Sequence, residues 1–350
     1  MGKCYNFCTL FDSAYLDRGI AMYESLEKVV DNFKLYIVAF DPKCEEVLKN
    51  ERYEDIEVIS YKEFEDDTLF QAKQNRSRKE FIWTCSGYSI KYVLDRYGIS
   101  ECTYIDADLY FYNDPTPLIE EIKENNMDVG IIEHGFGKYM EYKYMEKQTG
   151  KYCVQFNTFY NNENGLKILN WWIKRCLECC TGTPDGNNFG DQKYLDEFTK
   201  LFTGVYEHKN CGAGIAPWNI DRFEVDAEGN VRDRKSKKIV PIIFLHYHSM
   251  EFIGADKINI NVFVRPGRHD KKLIYDLYNP YIRELIRIRT KMSEKYGIEW
   301  TVKEDYIEKS SIKSLLKDFF VSEPNLIFLI RKIWRFILYK RFDFIEYRLI

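Results

Sequence analysis

The sequence predicts an α/β fold: a mostly parallel sheet flanked by helices, followed by a helical C-terminal extension. Two observations carry that prediction. Strand-like and helix-like segments alternate through the first half of the chain, the pattern of parallel strands joined by helical crossovers. From about Lys271 the pattern reads as helix to the end, with a break near Pro324. We assign 1–268 to the α/β domain and 269–350 to the extension. No internal repeat or low-complexity linker interrupts either part.

Taken in order, Cys4 to Phe11 reads as the first strand and Ser13 to Val30 as a helix. Ser13 is placed to cap that helix, and Ile20, Tyr23, Leu26 and Val30 recur at helical spacing. Leu35 to Phe40 and Glu57 to Ser60 are the next strands, and Lys79 to Tyr97 is a long helix stopped by Gly98. Cys102 to Ile105 is a short strand that runs into Asp106-Ala107-Asp108. Val129 to Ile132, Val154 to Tyr160 and Ile242 to His248 read as later strands, with helices over Gly165 to Cys180 and Asp191 to Phe202.

Composition narrows the function classes. The 350 residues are 45% hydrophobic and 30% charged, enough apolar material for a sizeable core and too much for intrinsic disorder. A net charge of −4 gives no whole-protein drive toward nucleic acid. The charge is uneven: the stretch from Pro324 to Ile350 is +4 and the remainder −8. No segment approaches the ~20 apolar residues that span a bilayer. The N-terminal MGKCYNFCTLFDS lacks an apolar signal region, and Asn6 breaks the myristoylation pattern. Ten cysteines without a secretion signal then favour reduced thiols in the cytoplasm.

The sharpest chemical feature is the pair Asp106 and Asp108. Carboxylates at i and i+2 where a buried strand ends point to one side of the sheet edge, where open α/β sheets bind ligands. Such a pair suits a hard cation, Mg²⁺ or Mn²⁺, bridging to phosphate oxygens; a solvated turn is the alternative. His246 and His248 alternate on a strand candidate and so face one side. Imidazole there suits Mn²⁺, or is bonded at a sheet edge. Cys176, Cys179 and Cys180 with His208 and Cys211 have a weak zinc-like spacing, and buried helix cysteines are the competing reading. No P-loop, nucleophile elbow or Rossmann glycine fingerprint occurs.

With these residues in view the chain resembles the GT-A glycosyltransferases, and specifically a bacterial group related to glycosyltransferase family 8. The carriers, in order, are Asp106-Ala107-Asp108 with its exit Asn113-Asp114-Pro115, and then Gly150-Lys151-Tyr152 through Phe156-Asn157-Thr158. Leu169-Asn170-Trp171-Trp172, Phe189-Gly190-Asp191-Gln192, Gly212-Ala213-Gly214 through Trp218-Asn219, and Leu245-His246-Tyr247-His248 follow. They span roughly residues 3 to 250.

The resemblance implies a GT-A catalytic domain moving a sugar from a nucleotide-diphosphate donor, most simply a UDP-sugar, to a glycan or lipid-linked saccharide. It implies Asp106, Asp108 and His246 as metal ligands, with Asp106, Gly212 and Gly214 toward the donor diphosphate. The family's closing Gly-x-x-Lys run is absent after His246, where Tyr247, His248, Ser249 and Met250 follow, so its lysine contact does not carry over. Phe11 and Asp12 end the strand on which the family holds its base; the Phe11 ring stacks on uracil or packs in the core. Arg78 and Lys91 are diphosphate candidates against a solvated helix face. Glu133, His134, Asn157, Trp218 and Asn219 would line the sugar and acceptor cleft. Asp191, with Gln192 beside it, is a helix cap, or a base in the cleft, or an acceptor-orienting group.

The tail from Asn325 to Arg341 is apolar with interspersed basic residues. It suits an interfacial helix on an anionic membrane, a helix docked on the catalytic domain, or a dimer contact. Two other classes compete with the transferase: a non-catalytic, membrane-peripheral sugar-nucleotide-binding protein, and a sugar-nucleotide pyrophosphorylase. The second wants a basic glycine-rich loop after the first strand, which Leu10-Phe11-Asp12-Ser13-Ala14 does not supply.

Overall fold

The computed structural model describes residues 2–254, 257–262, 265, 267–303 and, for the backbone alone, 344–346. The basic segment from 325 to 341 lies outside the described residues.

In chain order the elements are β1 (Tyr5–Phe11), α1 (Leu16–Glu27), β2 (Phe33–Ala39), α2 (Pro42–Glu51), β3 (Ile56–Ser60), α3 (Tyr61–Phe64), α4 (Asp67–Lys73) and α5 (Arg78–Tyr97). Then come β4 (Glu101–Ile105), β5 (Leu109–Phe111), α6 (Thr116–Glu124), β6 (Val129–Glu133), α7 (Met140–Thr149), β7 (Tyr152–Tyr160) and α8 (Glu163–Glu178). A 3₁₀ turn (Gln192–Glu197) leads into α9 (Phe198–Leu201), followed by β8 (Val205–Glu207), β9 (Ala213–Ile215), β10 (Phe223–Val225), β11 (Val231–Asp233) and β12 (Phe244–His246). The rest is β13 (Glu251–Ile253), β14 (Lys257–Asn259), α10 (Lys271–Tyr296) and β15 (Phe344–Glu346).

The chain divides into two compact units, Met1–Ile215 with Val240–His246, and Ala216–Ile239 with Tyr247–Ile350. The boundary expected near residue 268 falls inside the second unit. The first unit is built on a seven-stranded sheet in the order β3-β2-β1-β4-β7-β6-β8. Strands β3, β2, β1 and β4 run parallel, and β7 enters antiparallel between β4 and β6. Helices flank this mostly parallel sheet, as the alternation predicts. Strands β1, β2 and β4 are buried along nearly their whole length, so they read as apolar runs. One core layer packs α5 and α8 on the sheet through Phe81, Cys85, Ile90, Leu94, Leu169 and Trp172.

Local signals explain the element ends. Ser77 and Glu80 form a reciprocal capping box at the start of α5, and Gly98 ends it at φ 61°. At the first helix the cap is Asp12, which accepts from the Ala14 amide and starts a 3₁₀ turn over Ser13–Tyr15. Ser13, the expected cap, instead gives its amide and hydroxyl to Asp41 at 2.8 Å each.

Three other expectations change. Asp191 to Phe202 is a 3₁₀ turn and one short α-helix rather than a continuous helix. The strand expected to reach His248 ends at His246. Finally, residues 344–346 pair with β14 as a strand inside the stretch read as helix.

The second unit contains the β10–β11 hairpin, the sheet β13-β14-β15 and α10. Helix α10 is capped by Asp270 and stopped by Gly297 at φ 65°. Its Tyr278 and Tyr281 pack on Tyr247, the Tyr281 ring stacked at a centroid distance of 3.8 Å. Among the described residues no helix is long and apolar enough to cross a membrane.

Candidate functional site

Strand β4 is buried throughout, and its chain leaves the sheet at Asp106. The Asp106 amide donates to the Gln155 carbonyl at 3.1 Å, continuing the β4–β7 register by one residue, and the Leu109 amide closes a turn on the Asp106 carbonyl at 3.3 Å. That turn swings Asp108 back toward the same edge. The following strand, β5, pairs with β12 so that Leu109 lies opposite His246. One short antiparallel pairing therefore delivers the histidine to the two aspartates.

The resulting geometry is compact. His246 Nε2 lies 3.0 Å from Asp108 Oδ1 and 3.8 Å from Asp106 Oδ2. On its other side the ring meets Gln155 Oε1 at 2.9 Å from Nδ1. An amide oxygen only accepts, so Nδ1 carries the proton and Nε2 is the nitrogen turned to the carboxylates. Gln155 is fully buried, and sequence reading missed it. The available signal was an amide inside the apolar run of β7, where a buried polar group demands a partner.

The electrostatics record a shortage of positive charge. Burial pushes the Asp106 carboxyl up to about 7, against the pull of His246, with the charges of Asp108 and Asp191 adding to the rise. Burial works against charging His246, but Asp108 and Asp106 more than offset it and hold the imidazole well above its ordinary range. Two carboxylates and an imidazole nitrogen converging in one buried place fit a divalent cation by donor chemistry.

The glycine loop supports this cluster from β9. A Cβ at Gly214, which sits at φ 79°, would lie 2.4 Å from Gln155 Nε2. A Cβ at Gly212 would lie 1.9 Å from the Pro241 carbonyl oxygen. Both glycines are needed for close approach of chain to chain, and Gly214 packs against the residue that orients His246.

Asp191 is buried, and its backbone carbonyl accepts from Trp172 Nε1 at 2.9 Å. Its side chain makes no capping bond. Burial raises it to about 7, with the Ser86 hydroxyl pulling the other way. Its charge is felt at both Asp106 and Tyr104. Gln192 is tied by its Nε2 to the Thr149 carbonyl at 2.8 Å. Asn157 lies across from Tyr104 in the β4–β7 ladder, fully buried, and neither its amide nitrogen nor its amide oxygen has a hydrogen-bond partner in the protein.

Other residues take different places. Phe11 is 2% exposed, with its ring against Gly19, so it packs in the core and offers no face to a base. Asp12 and Arg78 pair with each other, Nη2 to Oδ2 at 2.6 Å. Lys91 pairs with Asp95 on the exposed side of α5, thirteen residues beyond Arg78 and so roughly 20 Å along the helix. Glu133 is held by Lys151 Nζ at 3.0 Å. His134 stacks on Phe136 and meets the Lys151 carbonyl, and burial lowers it to about 3.

Trp218 and Asn219 belong to the second unit, where Trp218 meets His248 edge-on and Asn219 Oδ1 accepts from the Ala216 amide at 2.8 Å. The cysteines and histidine with zinc-like spacing fall in no metal-capable group among the described residues. Tyr15 is a further candidate missed in the sequence. Tyr15 is 43% exposed after β1, and desolvation and the Asp108 charge raise its hydroxyl to about 12. Arg18 lies over the Tyr15 ring at 4.8 Å.

No protein-family model matches the chain. It is 27% identical to Uncharacterized protein YfnF of Bacillus subtilis (strain 168) over 80% of this chain and 92% of that one. It is likewise 27% identical to Uncharacterized protein YfnD of the same strain over 81% and 89%. Among solved structures it is similar to the galactosyltransferase LgtC with donor and acceptor sugar analogues, at 14% identity and TM-score 0.45 over 70% of this chain and 87% of that one. It is also similar to mouse xyloside xylosyltransferase 1, at 12% identity and TM-score 0.44 over 71% and 98%.

Proposed function

We propose that this protein is a metal-dependent glycosyltransferase. Its donor would be a nucleotide-diphosphate sugar, a UDP-sugar first among them, and its acceptor a glycan or lipid-linked saccharide of bacterial surface polysaccharide synthesis. The observation that carries this reading is the convergence of Asp106, Asp108 and His246 where β4 leaves the sheet. The ordered sequence motifs described above support it.

In this reading Asp106, Asp108 and His246 Nε2 hold Mn²⁺ or Mg²⁺. The bound cation supplies neutralisation of the charge that grows on a departing diphosphate. Gln155 keeps the His246 lone pair directed at that position. Asn157 is fully buried with neither amide atom bonded in the protein, so this proposal gives it no sugar contact. Asp191, with its raised pKa, takes the acceptor proton if the anomeric centre inverts, or orients the acceptor if it is retained. Tyr15, rather than Phe11, is the exposed aromatic residue for a base. Glu133 and His134 complete the sugar and acceptor contacts in this proposal, and the basic C-terminal segment contacts an anionic membrane.

Thermal unfolding against nucleoside diphosphates with and without Mn²⁺ tests the proposal. A ligand at 100 times its Kd adds ~2.7 kcal/mol to the native state. UDP should raise the midpoint only with Mn²⁺, and Asp108→Ala should lose that shift together with sugar transfer. Transfer at the wild-type rate by folded Asp108→Ala refutes the metal assignment. A metal-dependent UDP shift without turnover on any UDP-sugar turns the reading to a non-catalytic binding protein.

A further inference from the structure

We propose that Asp106, Cys153 and His246 form a thiophilic metal site that takes Zn²⁺ and excludes the hard cation from the donor cleft. One ligand atom from each of the three residues lies within 4.8 Å of the other two. Cys153 and His246 are buried, and Cys153 stands two residues before Gln155 on β7. In a tetrahedral zinc site, with Zn–S near 2.3 Å and Zn–N near 2.0 Å, neighbouring ligand atoms sit roughly 3.5 Å apart. Contraction by at most about 1.3 Å per pair closes the set, and water completes the fourth position. Among the described residues no other cysteine falls in a group of this kind.

The donor set decides which metal enters. Thiolate with imidazole selects Zn²⁺, whereas Mg²⁺ and Mn²⁺ keep to oxygen-rich sets. Binding forms the Zn–S, Zn–N and Zn–O contacts and releases protons to solvent: one from the Cys153 thiol, one from His246 Nε2 where that ring is charged, and one from Asp106 where its carboxyl is protonated. There is no redox change. The thiol is no obstacle, because a coordinating metal deprotonates it outright. Asp106 and His246 belong to both sets, so Zn²⁺ and the hard cation occupy the cleft alternately. Only this exclusion rests on the transferase reading; the three-ligand site does not.

Cobalt tests the site without any sugar donor. Co²⁺ added to the metal-free, reduced full-length chain should give a thiolate-to-cobalt charge-transfer band that saturates at one ion per chain and is abolished by Zn²⁺. Cys153→Ser should lose the band, and Asp106→Asn, which leaves every thiol in place, should weaken it. Absence of the band, or a band undiminished in Cys153→Ser, overturns the proposal by assigning cobalt to none or another of the ten cysteines. The two readings fail separately. A cobalt band without Mn²⁺-dependent binding of any nucleoside diphosphate removes the metal-dependent transferase and leaves this site. Mn²⁺-dependent UDP binding without a cobalt band does the reverse.

Discussion

Replacing Asp191 by Asn should make the metal-free protein more stable above neutral pH while abolishing its activity. Asp191 is 5% exposed, and burial raises its carboxyl from the ordinary 3.8 to about 7. A raised acid pKa means that between those two values the folded state binds more protons than the unfolded one. Stability therefore falls as pH rises through that window and stays low above it. At about 1.4 kcal/mol per unit, the roughly three-unit rise makes ionised Asp191 cost about 4 kcal/mol. Asn keeps the shape and removes the ionisation. Asp106 adds to the effect in the same direction, because the Asp191 charge is among the groups that push it up.

The assay is urea unfolding of both proteins in chelator, at a series of pH values from about 4 to 8. The difference should be within about 0.5 kcal/mol at the acid end and grow to about 4 kcal/mol in favour of Asp191→Asn at the alkaline end. A difference independent of pH refutes the claim that a buried charge is stored at this position. So does a variant less stable than wild type at about pH 8. Loss of transfer in the stabilised variant would mark Asp191 as a residue retained against its cost to stability.

Gln155→Leu removes the acceptor from His246 Nδ1 while leaving all three metal ligands in place; Mn²⁺ affinity measured by the electron spin resonance of the free ion should fall about 10- to 100-fold. Gly214→Ala, at φ 79° and with its Cβ 2.4 Å from Gln155 Nε2, should cost roughly 1–3 kcal/mol in urea unfolding. Arg78→Ala breaks only an exposed pair with Asp12, so its unfolding free energy should change by less than about 1 kcal/mol.

The readable part of this protein is the part where one residue's type and its neighbours along the chain fix the outcome. The capping box Ser77–Glu80 and the stop at Gly98 bracket α5 within two residues of the reading. Asp106 and Asp108 are legible because the strand before them is short, apolar and followed by a pair of acids. Phe11, Asp12 and Arg78 were less so. A strand-end aromatic either stacks or packs according to what stands opposite it, and Gly19, one helix later, opened a pocket for the Phe11 ring. Arg78 is paired with Asp12, an acid that follows β1 and is far from it in sequence. Neither outcome is encoded locally.

The orientation of β7 accounts for what the reading missed. Parallel strands β1 and β4 bring only their carboxyl ends to the site, so each contributes the residue or two at which its chain exits. Antiparallel β7 enters the sheet at that same end, and its first residues lie beside the exit of β4, with the Gln155 carbonyl on the Asp106 amide and Asn157 opposite Tyr104. Cys153 and Gln155 are thereby placed against His246, and Asn157 opposite Tyr104, while all three remain in a buried ladder. Burying these polar groups is unfavourable unless they are bonded. Gln155 is bonded to His246, Cys153 stands beside the same ring, and Asn157 is bonded to nothing in the protein. A thiol and two amides in a strand otherwise rich in aromatic and aliphatic residues are hard to explain by packing alone. In the proposed reading, an orienting role for Gln155 and a metal-facing role for Cys153 would both trace to one topological fact: a single reversed strand between β4 and β6.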